Sequence, residues 1–338
     1  MKALVLYVPL AVLAFAACAT PPSAPAPWAA GPDALGRVYP GGRYLVRDGY
    51  GKTRTAAEAA ASAELGRFIS SEVSSERSVS LTSVETDGTL RESAVTRDEA
   101  YVTSTLQLFG IRHADDAYFN RSRGMWHSAA YIDRAEAWKV YEPRFRQEAA
   151  AFLAFYGAAE NERDPFRKVL RYEAARRYAA SGDFASAHTF GQILYPEKMW
   201  EAFAEVRSSL AALPQKTDGA RRDAPVYIDC PEDFEGRVTA ALTGVFAARG
   251  FPIAKTRQAA RAVCEVTIET GEQKRDLGVF YHPSLRAAIS GSSGVVAGFS
   301  AEGGREQAVT PDVAKRRAYT ALAESAQIRL AAQLDAHN

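Results

Sequence analysis

Five histidines are the first residues to weigh for acid-base or metal chemistry: His113, His127, His188, His282 and His337. No two fall within five residues of each other, so none form a pair on one helical turn as zinc ligands do, and no metal ligand is predicted. His127 shares a predicted strand with Asp133. With His282, these are the residues from which a hydrolase could assemble a scattered site. The adjacent carboxylates Asp115 and Asp116 suit acid-base work by type, but sequence neighbours rarely converge on one substrate, and a loop accounts for them. The glycine-rich "ISGSSGVVAG", from Ile289 to Gly298, lacks the Lys-Ser/Thr of a phosphate loop. Around Ser292 and Ser293 it also lacks the Gly-x-Ser-x-Gly of a nucleophile elbow, so a hairpin turn is expected. Asn120-Arg121-Ser122 is a glycosylation sequon in pattern only. From the residues alone, no catalytic group, cofactor site or metal site is predicted.

Cysteine chemistry points elsewhere. Lys2 is followed by an uncharged run from Ala3 to Ala17 that ends on Cys18. As a helix the run reaches about 22 Å, short of a ~30 Å hydrocarbon core, so a secretory leader fits better than a membrane span. The order Leu13-Ala14-Phe15-Ala16-Ala17-Cys18 resembles a bacterial lipobox, with Phe15 in place of the usual leucine. That resemblance implies cleavage before Cys18, acylation of its thiol, and outer-membrane sorting because no aspartate follows. Prolines 21, 22, 25, 27 and 32 then predict a semi-rigid spacer over 18–38. Cys230 and Cys264 remain, either as a disulfide or as two buried thiols.

The elements that must position these residues come from a chain of ordinary globular composition. It is 47% hydrophobic and 24% charged, with a net charge of +1 that gives no reason to expect a nucleic-acid partner. In the first unit, "YLVRDGYG" reads as a strand. Thr55 and Glu58 form a capping-box pattern ahead of a helix whose apolar face is Ala61, Leu65, Phe68, Ile69 and Val73. "SVSLTSV" and "TLRESAV" read as a hairpin around Asp87-Gly88, and "YVTSTLQLFGI" and "WHSAAYIDR" as further strands. The stretch "DGYG", the helix "AAEAAASAELGRFI" and the closing "GMWHSAAYIDRAEA" resemble the LPP-type surface lipoprotein domain known from Helicobacter. They are also similar to the N-terminal domain of the flagellar ring protein FlgT. The likeness spans 39–138, supplies no catalytic residue, and implies a protein of the cell envelope.

A helical connector is predicted over 139–213, containing one tetratricopeptide-like hairpin, and a polar linker over 214–225. Beyond it come a strand "VYIDC" and a helix bearing Val238, Leu242, Val245 and Phe246 that stops at Gly250. Then follow strands "FPIAK" and "VCEVTIET", a hairpin pairing across Ser292-Ser293, and a helix entered through Thr310-Pro311. Over 226–338 this order resembles the N-terminal domain of TolB and related envelope lipoproteins. The expected fold class is α+β: two small helix-on-sheet domains joined by a helical connector. The expected function is a lipid-anchored binding or scaffolding module, held to the membrane by acyl chains on Cys18 and working with an envelope protein partner. By resemblance, the assembly is of flagellar-ring or cell-wall-synthesis type. The alternatives are an envelope hydrolase and a carrier of an apolar small molecule.

Overall fold

The computed structural model describes residues 24–31, 33–81, 110–275 and 278–336. The leader, Cys18, the hairpin expected around Asp87-Gly88, most of "YVTSTLQLFGI" and His337 lie outside the described residues. The protein is α+β, and its described residues divide into a first unit, 24–71 with 110–137, and a second, 72–81 with 138–336.

The first unit is a four-stranded antiparallel sheet with different cover on its two faces. Strand β1 (Tyr44–Gly51) pairs along its whole length with β4 (Met125–Asp133), which also pairs with two short pieces, β2 (Arg112–His113) and β3 (Tyr118–Asn120). On one face, Leu45, Ala130 and Ile132 lie under helix α2 (Arg54–Leu81), whose Ala57, Ala61, Leu65 and Ile69 are wholly buried. Burying Leu65 and Ile69 contributes about 1.5–3 kcal/mol each. The approach is set by glycine: a Cβ at Gly49 or Gly51 would run into the backbone of Ala61 or Ala57. A strand with side chains at those points could not let the helix in.

Two details of α2 differ from the sequence expectation. The cap is Thr53, whose hydroxyl accepts from Ala56 N–H at 3.1 Å, two residues before the expected Thr55. Glu58 instead pairs with Arg54 one turn back, at 2.8 Å. The helix also runs through "SVSL" to Leu81, where a strand was expected. Val79 and Leu81 mimic strand alternation, but no proline or helix-ending glycine stands between them and the preceding turns.

The other face of the sheet is covered by chain expected to be spacer. Pro27–Ala29 forms a 3-10 turn, α1 (Ala34–Val38) follows, and Ala26, Trp28 and Ala34 are buried. Ala26 and Trp28 pack with Val46, Ala114, Tyr118 and Ala129. An extended spacer therefore cannot reach beyond Pro25, because Ala26 is already buried: proline marked chain that is locally stiff, and Trp28 supplied the apolar surface that makes it dock.

The second unit joins helices to a five-stranded sheet. α3 (Arg134–Glu160) carries Pro143 without ending and contributes from Trp138 onward. α4 (Pro165–Ala180) and α5 (Gly182–Leu194) form the expected hairpin, followed by α6 (Pro196–Ala202) and α7 (Ala204–Arg222). Aromatic rings fill this part: Phe145 meets Phe203 edge-on at 4.7 Å, and Phe152 meets Phe184 at 5.3 Å. The sheet has order β5 (Val226–Asp229), β6 (Ala262–Arg275), β7 (Gly278–Gly291), β8 (Gly294–Glu302), with β9 (Glu306–Ala308) also on β7. Only β5 and β6 are parallel, with α8 (Arg237–Ala248) between them in sequence. α9 (Pro311–Ala336) packs on β7 and β8. The predicted apolar face of α8 is buried, and so are Tyr319, Leu322, Ala326, Leu330 and Leu334 along α9.

The expected linker is a correction, since α7 continues through Pro214 to Arg222. Its buried Leu213, Thr217 and Ala220 recur at helical spacing beneath a polar surface. "FPIAK" is not a strand and makes one isolated bridge, Ile253 to Val226. The helical stretch also shares a core with the sheet instead of standing apart as a connector: Phe166 of α4 packs on Phe251 at 5.2 Å and on Phe246 of α8 at 6.4 Å.

Candidate functional site

The densest polar cluster of the first unit surrounds His127. Alternation along β4 points it to the face covered by the N-terminal strap, where it is 5% exposed. Its Nε2 lies 2.7 Å from Asp48 Oδ2 and its Nδ1 lies 3.2 Å from the Tyr118 hydroxyl. In the neutral imidazole this gives one consistent arrangement: Nε2–H donates to Asp48, and Nδ1 accepts from Tyr118. Cross-strand register places Tyr50 opposite, stacked on the imidazole at 4.0 Å, and Trp28 closes the edge at 4.8 Å. The Trp28 indole donates to Asp116 at 2.6 Å. The hydrogen bond from His127 holds the Asp48 carboxyl below the usual carboxylate range, against the opposing effect of burial.

The arrangement resembles an Asp-His-Tyr relay in which the imidazole is the enclosed member, since His127 is buried while the Asp48 side chain is 41% exposed. Both ring nitrogens are engaged, Tyr50 stacks on the imidazole, and Trp28 meets it edge-on at 70°. The neighbouring Ser128 is wholly buried, its hydroxyl unpaired, on the opposite face of the same strand. Asp133, six residues along, caps α3 by accepting from the N–H groups of Ala135 and Glu136, and binds Arg43 at 3.3 Å. His282 is exposed on β7 in the second unit. Asp116 anchors Trp28, and Asp115 stays exposed. Within the first unit, His127 and Asp133 are thus engaged separately, the one by Asp48 and Tyr118, the other by Arg43 and the start of α3.

One serine-histidine contact escaped sequence reasoning: Ser62 Oγ lies 2.8 Å from His113 Nε2. Ser62 sits in mid-helix, where the surrounding backbone N–H groups already serve the helix ladder and cannot form an oxyanion hole. A separation of fifty-one positions hid this pair from any motif.

In the second unit, "ISGSSG" is the turn between β7 and β8, as expected, and it docks on a carboxylate no motif had revealed. Asp164 is 1% exposed. It caps α4 by accepting from Arg167 N–H at 3.0 Å, and accepts from Ser292 Oγ at 2.9 Å and Ser293 N–H at 3.2 Å. A Cβ at Gly291 would strike this carboxylate. Burial would raise the carboxyl, but the donors from Arg167, Ser292 and Ser293 outweigh it and hold it below the usual range. Farther along, Glu173 is gripped by Arg221 and by Arg176, the latter at 2.9 Å. The hollow beside them is about 90 Å³ and lined in part by these charges, unlike a site for an apolar cargo.

Cys230 and Cys264 are free thiols on or beside the parallel strands β5 and β6. Cys264 pairs with Ile228, two residues before Cys230, which makes the cysteines diagonal neighbours. That diagonal is about 7–8 Å, against a Cβ separation of about 3.8 Å in a bridge. Burial pushes both thiols up to about 12.

No protein-family model matches this chain, and no curated protein matches it. Among solved structures it is similar to a secreted protein from the human pathogen Helicobacter pylori. Identity is 13% and TM-score 0.34, over 84% of this chain and 95% of that one. Among the described residues no helix is long and apolar enough to cross a membrane, and no group of three or more metal-ligating side chains occurs.

Proposed function

We propose that the chain is a lipid-anchored envelope protein, tethered through Cys18 at the outer membrane, that serves as a binding or scaffolding module for an envelope protein partner. The observation that carries this reading is the sequence Leu13 to Cys18 at the end of an apolar leader. The structure supports it in two ways. The residues best suited to chemistry, His127, Asp133, Asp116 and Asp164, are each spent on packing or capping. The leader also joins a folded body directly, with Trp28 already in the core. A flagellar-ring or cell-wall-synthesis assembly is the partner class implied by the resemblances above.

Mass spectrometry of the mature N-terminus tests the anchor. Acyl chains on Cys18 that disappear in Cys18→Ala are expected; an unmodified mature protein released by cleavage elsewhere refutes it. Crosslinking in the native host tests the partner, and recovery of the protein alone at every site refutes a scaffold. Loss of a measured hydrolysis in His127→Ala, with folding retained, supports the hydrolase instead.

A further inference from the structure

The first unit carries an open groove of about 690 Å³ beside the N-terminal strap. Arg37, Arg47 and Arg134 line it together with Tyr39, Tyr44 and Phe68, against a single acidic residue, Asp33. Arg134 Nε donates to Gly41 O and Arg47 Nη1 to Val46 O, each at 2.7 Å, and the Arg47 guanidinium lies over the Phe68 ring at 3.5 Å. Arg37 stands exposed in the last turn of α1. The Tyr39 hydroxyl, pushed up to about 12 chiefly by burial, adds no negative charge. A cationic floor with aromatic walls suits a phosphate carried on an apolar body.

The chain leading to the groove says which phosphate. Ala26 is the first buried residue, eight Cα steps after Cys18. Even fully extended they span about 28 Å. A spacer of 21 residues, as the prolines suggested, would have let the unit wander; eight keep it close to the headgroups. The groove begins at Asp33, on the strap that the tether enters.

We propose that this groove binds the phosphate headgroups of anionic lipids in the membrane to which the chain is tethered, orienting the first unit on the bilayer. The setting rests on acylation of Cys18; the binding chemistry does not, and the test separates them. The mature chain with Cys18→Ser is labelled with an environment-sensitive fluorophore at Gly36→Cys. A side chain there meets nothing within 4 Å, and the two native thiols are too poorly ionised to compete.

Vesicles rich in phosphatidylglycerol, at millimolar lipid and low salt, are expected to shift the emission to the blue. Phosphatidylcholine vesicles are not, and added salt reverses the shift. Arg37→Gln raises the half-saturating lipid about fivefold, the effect of one basic residue at an anionic surface. An equal response to both vesicles, no response to either, or an unchanged Arg37→Gln curve overturns the proposal. So does abolition of the shift by an equal concentration of inorganic phosphate, which marks a site for free phosphate. Because the anchor is absent, none of these outcomes reports on acylation, which the mass of the Cys18 peptide decides.

Discussion

Replacing Asp164 with alanine removes three kinds of contact at once. Its oxygens cap α4 and hold the turn between β7 and β8 through Ser292 and Ser293. Loss of an N-cap costs about 1 kcal/mol. Leaving the Ser293 N–H and two hydroxyls without their charged acceptor costs about 1–3 kcal/mol for each group that water cannot reach. The turn lies at the surface, so one such group is the reasonable count, and the total comes to about 3 kcal/mol. With a urea dependence of about 2 kcal/mol/M, the midpoint falls by about 1.5 M. Asp164→Asn keeps an acceptor for the cap but loses the charge, and about half that drop is expected.

The sign of the pH dependence is fixed by the direction of the shift. Asp164 is held below the usual carboxylate range when folded. Its ionic contribution is therefore fully present above the unfolded value, about 3.9, and is lost as pH falls through the lower folded value. Urea midpoints followed by circular dichroism should show wild type and Asp164→Asn well separated at neutral pH and converging only below about pH 4. Equal midpoints at neutral pH, or convergence already at pH 6, would refute the latch.

Three further outcomes follow from buried groups. Desolvation depresses His188 to about 4 amid Phe145 and Phe184, so the unfolded chain takes up a proton that the folded one refuses. Stability should then fall by up to about 3 kcal/mol between about pH 6.5 and 4, and His188→Phe should flatten that slope in urea titrations; an unchanged slope counts against it. Gly49→Ala forces α2 off β1 and should destabilise the first unit by about 3 kcal/mol, seen as faster amide exchange in both elements. Wild-type exchange in that variant would mean that the helix tolerates a side chain there. Thiol counting without reductant should find Cys230 and Cys264 unreactive in the native protein and both titratable in urea; a missing thiol in urea would reveal a bridge.

Much of the architecture was legible because burial leaves a period in the chain. β1, the buried face of α2 and the stripe of α8 all sit where spacing put them. What sequence reading lost were boundaries at which two periods coincide. Val79 and Leu81 alternate as a strand would yet continue a helix, and the polar run after Pro214 hides Thr217 and Ala220 on its inner face. The spacer failed for another reason: proline reports local stiffness, whereas docking of the strap depends on Trp28 finding Val46, Tyr118 and His127 far along the chain.

The polar clusters were illegible for a related reason, and it bears on function. His127 meets Asp48 across seventy-nine residues, Ser62 meets His113 across fifty-one, and Asp164 meets Ser292 across 128. Such pairings arise from sheet register and helix docking, which no local motif encodes. Each of these clusters also serves the packing around it: Tyr50 stacks on the His127 imidazole with Trp28 edge-on, donors surround the Asp164 carboxylate, and Ser62 ties α2 to His113. The first unit offers its accessible chemistry at the arginine groove, and there the groups are suited to holding an anion in place.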